Sequence, residues 1–254
     1  MLMALQQGPM AWIWLEAVLI NTVLIAIAQQ LPLLTKAGWV HAAALGTILW
    51  GCLGWRGWLA VVIYLGFGSL VTRLGIKDKQ RRGLAESRGG RRGPENVWGS
   101  AAVGAVIALL IGAGFEPNQL LYIGFSASFA AKLADTFGSE IGKRWGRTTV
   151  MITTLRPVPA GTDGAVSLEG TVASAVGSLV MTLPLLLLGL LPSLSAAVLV
   201  ILVGFLATLA ESLLGALAQN KVSWLTNEVV NGLQTLIAAF LSIFLAKLFL
   251  PALI

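Results

Sequence analysis

Residues 195–219 read SAAVLVILVGFLATLAESLLGALAQ, a run in which Glu211 is the only charged side chain. An α-helix rises about 1.5 Å per residue, so about 20 apolar residues cross the roughly 30 Å of hydrocarbon in a bilayer. A helix on the surface of a soluble domain would carry a polar face instead. The stretch therefore predicts a membrane-spanning helix, and it sets the fold class for the chain.

Seven further apolar stretches lie on either side of this run. They are 11–34, 38–53, 56–74, 98–115, 118–137, 165–191 and 227–250. Apolar residues make up 57% of the 254 positions and charged residues 11%, whereas about 25% of residues in soluble domains are charged. The sequence thus predicts an all-α polytopic integral membrane bundle of about eight transmembrane helices, folded as one domain over residues 1–254. Since 38–53 is short and broken by glycine, seven crossings with one re-entrant segment is the alternative.

The basic residues predict which side of the membrane each loop faces. Lys and Arg accumulate in cytoplasmic loops, so the loops near 73–97, 138–166 and 220–226 are predicted to be cytoplasmic and both termini to lie on the opposite side. This arrangement places 15 of the 17 basic residues on the inner side. Orientation in the membrane accounts for the net charge of +6, so membrane lipids are the expected neighbours and no nucleic-acid partner is predicted.

The single cysteine and single histidine limit the possible chemistry. Cys52 lies in an apolar run, which excludes an internal disulfide and a cysteine-based zinc cluster. His41 has no second histidine with which to bind a metal or build a nucleophile triad. We therefore expect both residues to have structural roles.

The most informative polar stretch, residues 132–143, reads KLADTFGSEIGK. At about 100° per residue, one helical face collects its polar members. They are Lys132, Asp135, Thr136, Ser139 and Lys143, with Glu140 at the flank. Ionisable groups inside a membrane helix are usually functional, although Lys132 and Asp135 are spaced to form a structural ion pair. Carboxylates and hydroxyls suit Mg²⁺, and the lysines suit phosphate. The stretch predicts a site of phosphate chemistry.

The loop that follows predicts further phosphate contacts. Its small and polar residues are Gly161, Thr162, Asp163 and Gly164. Such residues allow tight turns and a close approach of the backbone to a ligand. The next helix opens with Glu169, Gly170 and Thr171, and its positive end favours anions. Arg156 adds a guanidinium with a fork of donors. A helix-capping turn is the alternative for this loop.

Polar side chains at the inner ends of three other helices complete the predicted site. Glu211 lies about two turns inside its helix, where an ionised group has no inexpensive structural role. Asn227 and Asn231 open the eighth helix one turn apart, although Asn227 also suits an N-cap. Asn96 and Ser100 open the fourth helix beside the basic loop.

These motifs resemble a known family. They are RGPENVWGS (92–100), ADTFGSEIG (134–142), ITTLRPVPAGTDG (152–164), SLEGT (167–171), ESLLG (211–215) and NEVVN (227–231). Across nearly the whole chain they resemble the integral membrane phytyl-phosphate kinases of cyanobacteria and plastids, relatives of vertebrate transmembrane protein 19 and long catalogued as a domain of unknown function. Glu211 departs from the pattern, because many relatives are expected to have Asp there. A weaker likeness links the chain to CTP-dependent dolichol and phytol kinases.

The resemblance implies phosphoryl transfer from a nucleoside triphosphate, with CTP the expected donor, to phytyl monophosphate. The product would be the diphosphate used for tocopherol and phylloquinone side chains, in a cyanobacterial or plastid-type membrane. In this hypothesis Mg²⁺ is held chiefly by Asp135 and Glu140, with Asp163 or Glu211 assisting. The residues expected to neutralise phosphoryl charge are Lys132, Lys143 and Arg156. The predicted nucleotide-binding residues are Asn96, Ser100, Ser139, Gly161, Thr162, Gly164, Glu169, Gly170, Thr171, Asn227 and Asn231.

Two other functions remain open at this stage. A transporter of a small anion or a lipid phosphate would also place charged side chains in membrane helices, near the midplane. A CTP-dependent lipid cytidylyltransferase would share the metal and nucleotide requirements. The sequence leaves the oligomeric state, the donor base and the isoprenoid length open.

Overall fold

The computed structural model describes residues 10–219 and 221–251. Its α-helices are α1 Met10–Ala28, α2 Lys36–Arg73, α3 Ile76–Arg81, α4 Pro94–Gly112, α5 Asn118–Trp145, α6 Leu168–Leu187, α7 Leu194–Leu214 and α8 Asn227–Phe249. A 3₁₀ turn covers Ser87–Gly90, and a π-helical turn over Gly215–Gln219 extends α7. Two short antiparallel strands, β1 Thr149–Met151 and β2 Ala165–Ser167, pair within the loop between α5 and α6.

The predicted fold class, a helical membrane bundle, is confirmed. Within the described ranges, five helices are long and apolar enough to cross a membrane: α2, α4, α6, α7 with its π-helical turn, and α8. The apolar part of α1 is shorter. The small β-hairpin is an addition that the all-α prediction lacked, because three-residue strands leave almost no periodicity in a sequence.

The stretches predicted at 38–53 and 56–74 form the two arms of α2, which is a helical hairpin. Its break is Gly54, where φ is 66° and ψ is −167°. A Cβ atom at Gly38 would lie 2.6 Å from the Arg92 carbonyl oxygen, and one at Gly68 would lie 2.5 Å from the Arg92 guanidinium. A straight helix would separate these two glycines by roughly 45 Å. The two arms therefore run side by side, with the break at the end remote from Arg92.

Helix α5 is the central rod of the bundle. It packs against α2, α4, α6, α7 and α8, and every residue from 123 to 134 is buried. The charged side chains of α5 therefore face protein groups rather than lipid tails. This placement avoids the large free-energy penalty of exposing a charge to hydrocarbon.

Small residues let α5 and α6 approach closely at their polar ends. A Cβ atom at Gly138 would lie 2.1 Å from the Ser174 hydroxyl oxygen, and one at Gly170 would lie 2.8 Å from the Gly138 carbonyl oxygen. Small side chains commonly allow such contacts between membrane helices. The packing brings the start of α6 against the polar half of α5.

Contacts between the loops gather most basic residues at one end of the bundle. Arg144 lies 3.0 Å from Asp78, and Arg82 donates a hydrogen bond of 3.0 Å to the Lys143 carbonyl oxygen. Arg56 lies beside Gly189 at the other end. The single-domain organisation and the cytoplasmic position of the loops stay predictions. The chain termini, predicted to lie on the opposite side, are outside the described residues.

Candidate active site

A polar cavity of about 300 Å³ opens at the basic end of the bundle. Its walls come from α2, α4, α5, α6, α7, α8 and the loops between them. All but two of the residues predicted to form the site line it. They are Asn96, Ser100, Lys132, Asp135, Ser139, Glu140, Lys143, Gly161, Thr162, Asp163, Gly164, Gly170, Thr171, Glu211, Asn227 and Asn231.

Lys132 takes part in a network of charged and polar contacts in this cavity. Its side-chain ammonium pairs with the carboxylate of Asp135 and donates a hydrogen bond of 2.9 Å to Asn231 Oδ1. The side chains of Lys132 and Asp135 are 7% and 14% exposed. The ion pair considered from sequence is therefore present, yet both groups also line the cavity, so pairing and a functional role are compatible. A bound anion would find the lysine already held in place.

Glu140 has a different environment from the one predicted. Lys79, which is fully buried, pairs with Glu140 Oε2 and donates a hydrogen bond of 2.7 Å to the Thr72 carbonyl oxygen. Lys143 Nζ lies 4.0 Å from Glu140 Oε1. Both carboxylate oxygens of Glu140 thus face lysines. This arrangement favours a counter-ion role for Glu140, because two lysines share its charge and its side chain is only 3% exposed. The metal-binding role stays a prediction.

Glu86 joins the same charged network from the loop after α3. Lys143 Nζ donates a hydrogen bond of 2.8 Å to Glu86 Oε1. Burial would raise the pKa of Glu86, but the charge of Lys143 and its hydrogen bond outweigh that effect and hold the pKa below its usual value. The pair fastens the loop to the end of α5 at the edge of the cavity.

Two acidic side chains on the opposite wall have no cationic partner. Asp163 and Glu211 both line the cavity, and neither lies within 4.0 Å of a Lys or Arg nitrogen among the residues that the structure describes. Glu211 receives a hydrogen bond of 3.4 Å from Ser212. Uncompensated carboxylates in a polar cavity are the donor type that Mg²⁺ prefers.

The loop that carries Asp163 is held against the end of α7. Gly164 has a φ of 76°, and a Cβ atom there would lie 2.4 Å from the Cβ of Ala216. Glycine suits the positive φ and the close approach alike. Ala216 belongs to the π-helical turn, a feature that often marks functional sites.

The carboxylates fit a magnesium ion that also binds substrate. Within residues 10–219 and 221–251, no three His, Cys, Asp or Glu side chains are grouped closely enough to enclose a metal. Mg²⁺ usually binds one or two carboxylates and completes its shell with waters and phosphate oxygens. One or two carboxylates from Asp135, Asp163 and Glu211, which all line the cavity, meet that lesser requirement, so the residues present suit a metal brought in with a nucleotide.

The N-terminal ends of three helices also face the cavity. Asn96 in α4, Gly170 in α6 and Asn227 in α8 all lie in first turns, and all three line it. Asn96 accepts a hydrogen bond of 2.9 Å from the Gly93 backbone and donates one of 3.4 Å to Glu228. Helix N-termini carry partial positive charge and favour anions. The cavity is thus suited to phosphate groups.

Two predicted residues, Arg156 and Glu169, do not line the cavity. Arg156 is exposed in the hairpin loop. Glu169 lies 3.9 Å from the Arg147 side chain and accepts a hydrogen bond of 3.3 Å from its backbone. Glu169 therefore ties the end of α5 to the start of α6. Arg156 lies in an irregular loop, where no periodicity indicates which way a side chain points, and Glu169 lies in the first turn of α6, where the boundary of the helix is hard to predict from sequence.

Sequence reasoning missed three residues that shape this region: Tyr64, Lys79 and Glu86. Tyr64 donates a hydrogen bond of 3.0 Å to Ser100 and receives one of 2.8 Å from Arg92. A tyrosine within an apolar stretch was a weak signal for a polar partner. Lys79 and Glu86 gave no signal, because a basic loop beside a membrane helix ordinarily only sets the topology.

Comparisons with known proteins identify the family. The family described as "Integral membrane protein DUF92" matches this chain over residues 19–239. The chain belongs to this family. The DUF92 match contains every residue that lines the cavity, and the family resemblance carried by the sequence motifs is confirmed.

Relatives of this DUF92 chain come from distant organisms. A membrane protein of Synechocystis sp., described as uncharacterized, is 50% identical over 237 residues, which cover 92% of each chain. Protein VTE6, chloroplastic, of Arabidopsis thaliana is 39% identical over 246 residues, covering 93% of this chain and 73% of that protein. A membrane protein of Methanocaldococcus jannaschii, also described as uncharacterized, is 30% identical over 232 residues. No solved structure matches the chain significantly.

Proposed function

We propose that this protein is a membrane kinase that transfers a phosphoryl group from a nucleoside triphosphate, CTP by preference, to phytyl or another isoprenyl monophosphate. The observation that carries the proposal is the cavity, where the Lys132–Asp135 pair faces the uncompensated carboxylates Asp163 and Glu211. Cations for phosphate and carboxylates for a metal therefore share one space. The diphosphate product would serve tocopherol and phylloquinone synthesis, and the cavity would open to the cytoplasmic side.

The reaction is a direct displacement at phosphorus. A terminal oxygen of the acceptor phosphate forms a bond to the γ-phosphorus while the bond from that phosphorus to the β,γ-bridging oxygen breaks. The nucleoside diphosphate leaves with the electron pair. The second pKa of a phosphate monoester is near 6, so the acceptor is largely dianionic at neutral pH and needs no general base.

The protein's contribution is to position phosphates and stabilise charge. Lys132 is held between Asp135 and Asn231, so its ammonium is oriented before substrates arrive. Lys143 lies at the cavity edge and is oriented by Glu86. One or two carboxylates from Asp135, Asp163 and Glu211 would hold Mg²⁺. The metal would supply positive charge that offsets part of the negative charge of the phosphates.

One feature favours a kinase over a transporter. The charged groups gather at one end of the bundle, whereas transporters usually bind near the midplane. A lipid cytidylyltransferase remains distinguishable by its products, because it would release pyrophosphate rather than a nucleoside diphosphate.

The test uses the full chain purified in detergent with Mg²⁺. Phytyl monophosphate is supplied with CTP, ATP, GTP or UTP in turn, and lipid and nucleotide products are separated. We expect phytyl diphosphate and CDP in equal amounts. Formation of pyrophosphate with a CDP-lipid would establish the cytidylyltransferase instead.

A matched pair of variants ties the product to this site. Asp135→Asn lines the cavity and should give no diphosphate above background, whereas Arg156→Gln is exposed and should keep at least about a third of the turnover. An unmodified protein that forms no diphosphate with any of the four donors would contradict the proposal.

A further inference from the structure

A narrow apolar cleft adjoins the polar cavity. The α2 and α4 residues that line it include Ala42, Leu45, Val61, Leu65 and Ala101. The cleft also shares three lining residues with the polar cavity: Tyr64, Arg92 and Asn96. The apolar cleft, of about 40 Å³, thus meets the larger polar cavity where the side chain of Arg92 lies.

The backbone of Arg92 is fixed by the segment between α1 and α2. The Arg92 amide donates a hydrogen bond of 3.0 Å to the Leu33 carbonyl oxygen, and the Arg92 carbonyl oxygen accepts one of 3.0 Å from the Thr35 amide. These two bonds form a bridge between Leu34 and Arg92. The side chain of Arg92 therefore starts from a defined position at the junction of cleft and cavity.

The guanidinium of Arg92 is held in place by residues of α2. It donates a hydrogen bond of 2.8 Å to the Tyr64 hydroxyl, and its carbon lies 5.0 Å from the centre of the Tyr64 ring. One turn further along α2, Gly68 leaves the space that the guanidinium occupies, because a Cβ atom there would lie 2.5 Å from Nη2. The side chain is held by neutral groups that do not use up its charge.

Arg92 lacks a carboxylate partner. Across the part of the chain that the structure describes, no Asp or Glu oxygen lies within 4.0 Å of its nitrogens. A half-buried, uncompensated guanidinium attracts a phosphate, which it can bind through a fork of donors. The apolar lining beside it suits a hydrocarbon chain and not a sugar or a base.

We propose that Arg92 binds the phosphate of the isoprenyl monophosphate acceptor and that the cleft between α2 and α4 receives the first part of its hydrocarbon chain. The inference rests on the proposed function and assigns its acceptor subsite. The nucleotide phosphates then occupy the other wall, at Lys132 and the 161–164 loop. The rest of the isoprenyl chain continues toward the surrounding lipid.

Two glycines on the same arm of α2 provide a matched test of the phosphate contact. Gly68→Ala places a methyl group in the space that the Arg92 guanidinium occupies, whereas a Cβ atom at Gly66 meets nothing within 4 Å. We expect Gly68→Ala to raise the KM for a 20-carbon isoprenyl monophosphate about tenfold, since a charged hydrogen bond is weakened. Gly66→Ala should leave that KM unchanged, and neither variant should change the nucleotide KM.

Two alanines in the first arm of α2 test the binding of the hydrocarbon chain in the cleft. Ala42→Phe fills the cleft, whereas Ala44→Phe lies at an exposed position. Ala42→Phe should raise the acceptor KM at least about fivefold, because burial of the first chain carbons is lost. Inorganic phosphate, added as a competing inhibitor, separates the two parts of the subsite. Gly68→Ala should weaken inhibition by inorganic phosphate, and Ala42→Phe should not.

The outcomes separate this inference from the proposed function. If the unmodified protein makes no diphosphate, the proposed function fails, and binding of the 20-carbon monophosphate followed by tryptophan fluorescence still reports on the subsite. If turnover is present but Gly68→Ala and Gly66→Ala have equal acceptor KM values, the subsite assignment is overturned. It is also overturned if Gly68→Ala raises the nucleotide KM instead. Thermal unfolding of each variant in detergent verifies that the fold is intact.

Discussion

Two buried lysine–carboxylate pairs involve the central helix α5, and they differ in their surroundings. Lys79 and Glu140 join α3 to α5, and Lys79 is fully buried and does not itself line the cavity, although Glu140 does. Lys132 and Asp135 lie one turn apart on α5, line the cavity and share a hydrogen-bond network with Asn231. The Lys79–Glu140 pair thus joins two helices, whereas the Lys132–Asp135 pair holds two side chains in position at the cavity surface. Below, the first is called the closed pair and the second the open pair.

The difference shows that burial of a charge does not by itself mark a catalytic residue. A closed pair fixes where two segments meet, and its net contribution to stability is small because desolvation offsets the attraction. An open pair keeps one side of each group available to a ligand. The predictions below test whether the two pairs have these separate roles.

The largest effect is expected from Asp135→Asn. We expect turnover to fall at least about 1,000-fold, equivalent to about 4 kcal/mol of transition-state stabilisation. The substitution keeps the side-chain shape, and Lys132 retains its hydrogen bond to Asn231. Because Lys132 also lines the open cavity, the unfolding temperature should fall less than in Lys79→Met. Single-turnover assays and thermal melts in the same detergent measure the two quantities.

A catalytic role for the Lys132–Asp135 pair is contradicted if this variant retains more than a tenth of the turnover. It is also contradicted if the variant is inactive only because the protein has unfolded. Thr149→Ser, a small change at a lining position to which no binding role is assigned, provides a control for general disturbance of the cavity wall.

Lys79→Met should destabilise the protein, although the Lys79 side chain does not line the cavity. Removing one partner of a buried ion pair leaves an uncompensated charge, which typically costs about 3–5 kcal/mol. We expect a marked fall in the free energy of unfolding, measured by denaturant titration in detergent.

The double variant Lys79→Met with Glu140→Met tests whether the Lys79–Glu140 pair has only a structural role. Because both charges are removed together, its stability should return to within about 1 kcal/mol of the unmodified protein. Turnover should stay within about tenfold, since Glu140 is assigned a counter-ion role. A stable but inactive double variant would restore Glu140 to the metal site predicted from sequence.

The smallest effect is expected at Glu86, and it depends on pH. Its pKa is lowered in the folded protein, so its pair with Lys143 contributes stability above the ordinary carboxyl pKa of 4.5. That contribution is lost as the pH falls below 4.5 through the lowered folded-state pKa. The Glu86 side chain is 46% exposed, so we expect under about 1 kcal/mol.

Thermal melts of Glu86→Gln and the unmodified protein between pH 3 and pH 7 measure this contribution. The two unfolding temperatures should differ at neutral pH and converge as the pH falls. A constant difference over the whole range would mean that the Glu86 charge does not support the fold.

Much of the fold and most of the cavity could be read from local patterns. The apolar run at 195–219 identified a membrane helix because hydrophobicity is a property of the segment itself. The 132–143 stretch predicted one polar face because helical periodicity fixes which side chains share a side. Arg156 and Glu169 do not line the cavity. Arg156 lies in a loop without such periodicity, and Glu169 lies in the first turn of α6, where a helix boundary is hard to predict.

The sequence alone determined that this is a helical membrane protein, that its charges gather at one end, and which helices bring polar residues there. Tertiary structure decided how those charges are paired. Lys79 meets Glu140 across 61 positions of sequence, and Arg92 meets Tyr64 across 28. Such partners depend on the fold-back of α2 at Gly54 and on the close packing of α5 with α6. The separation of a closed pair from an open one follows from that packing, because local spacing sets the face of a helix but not what lies opposite it.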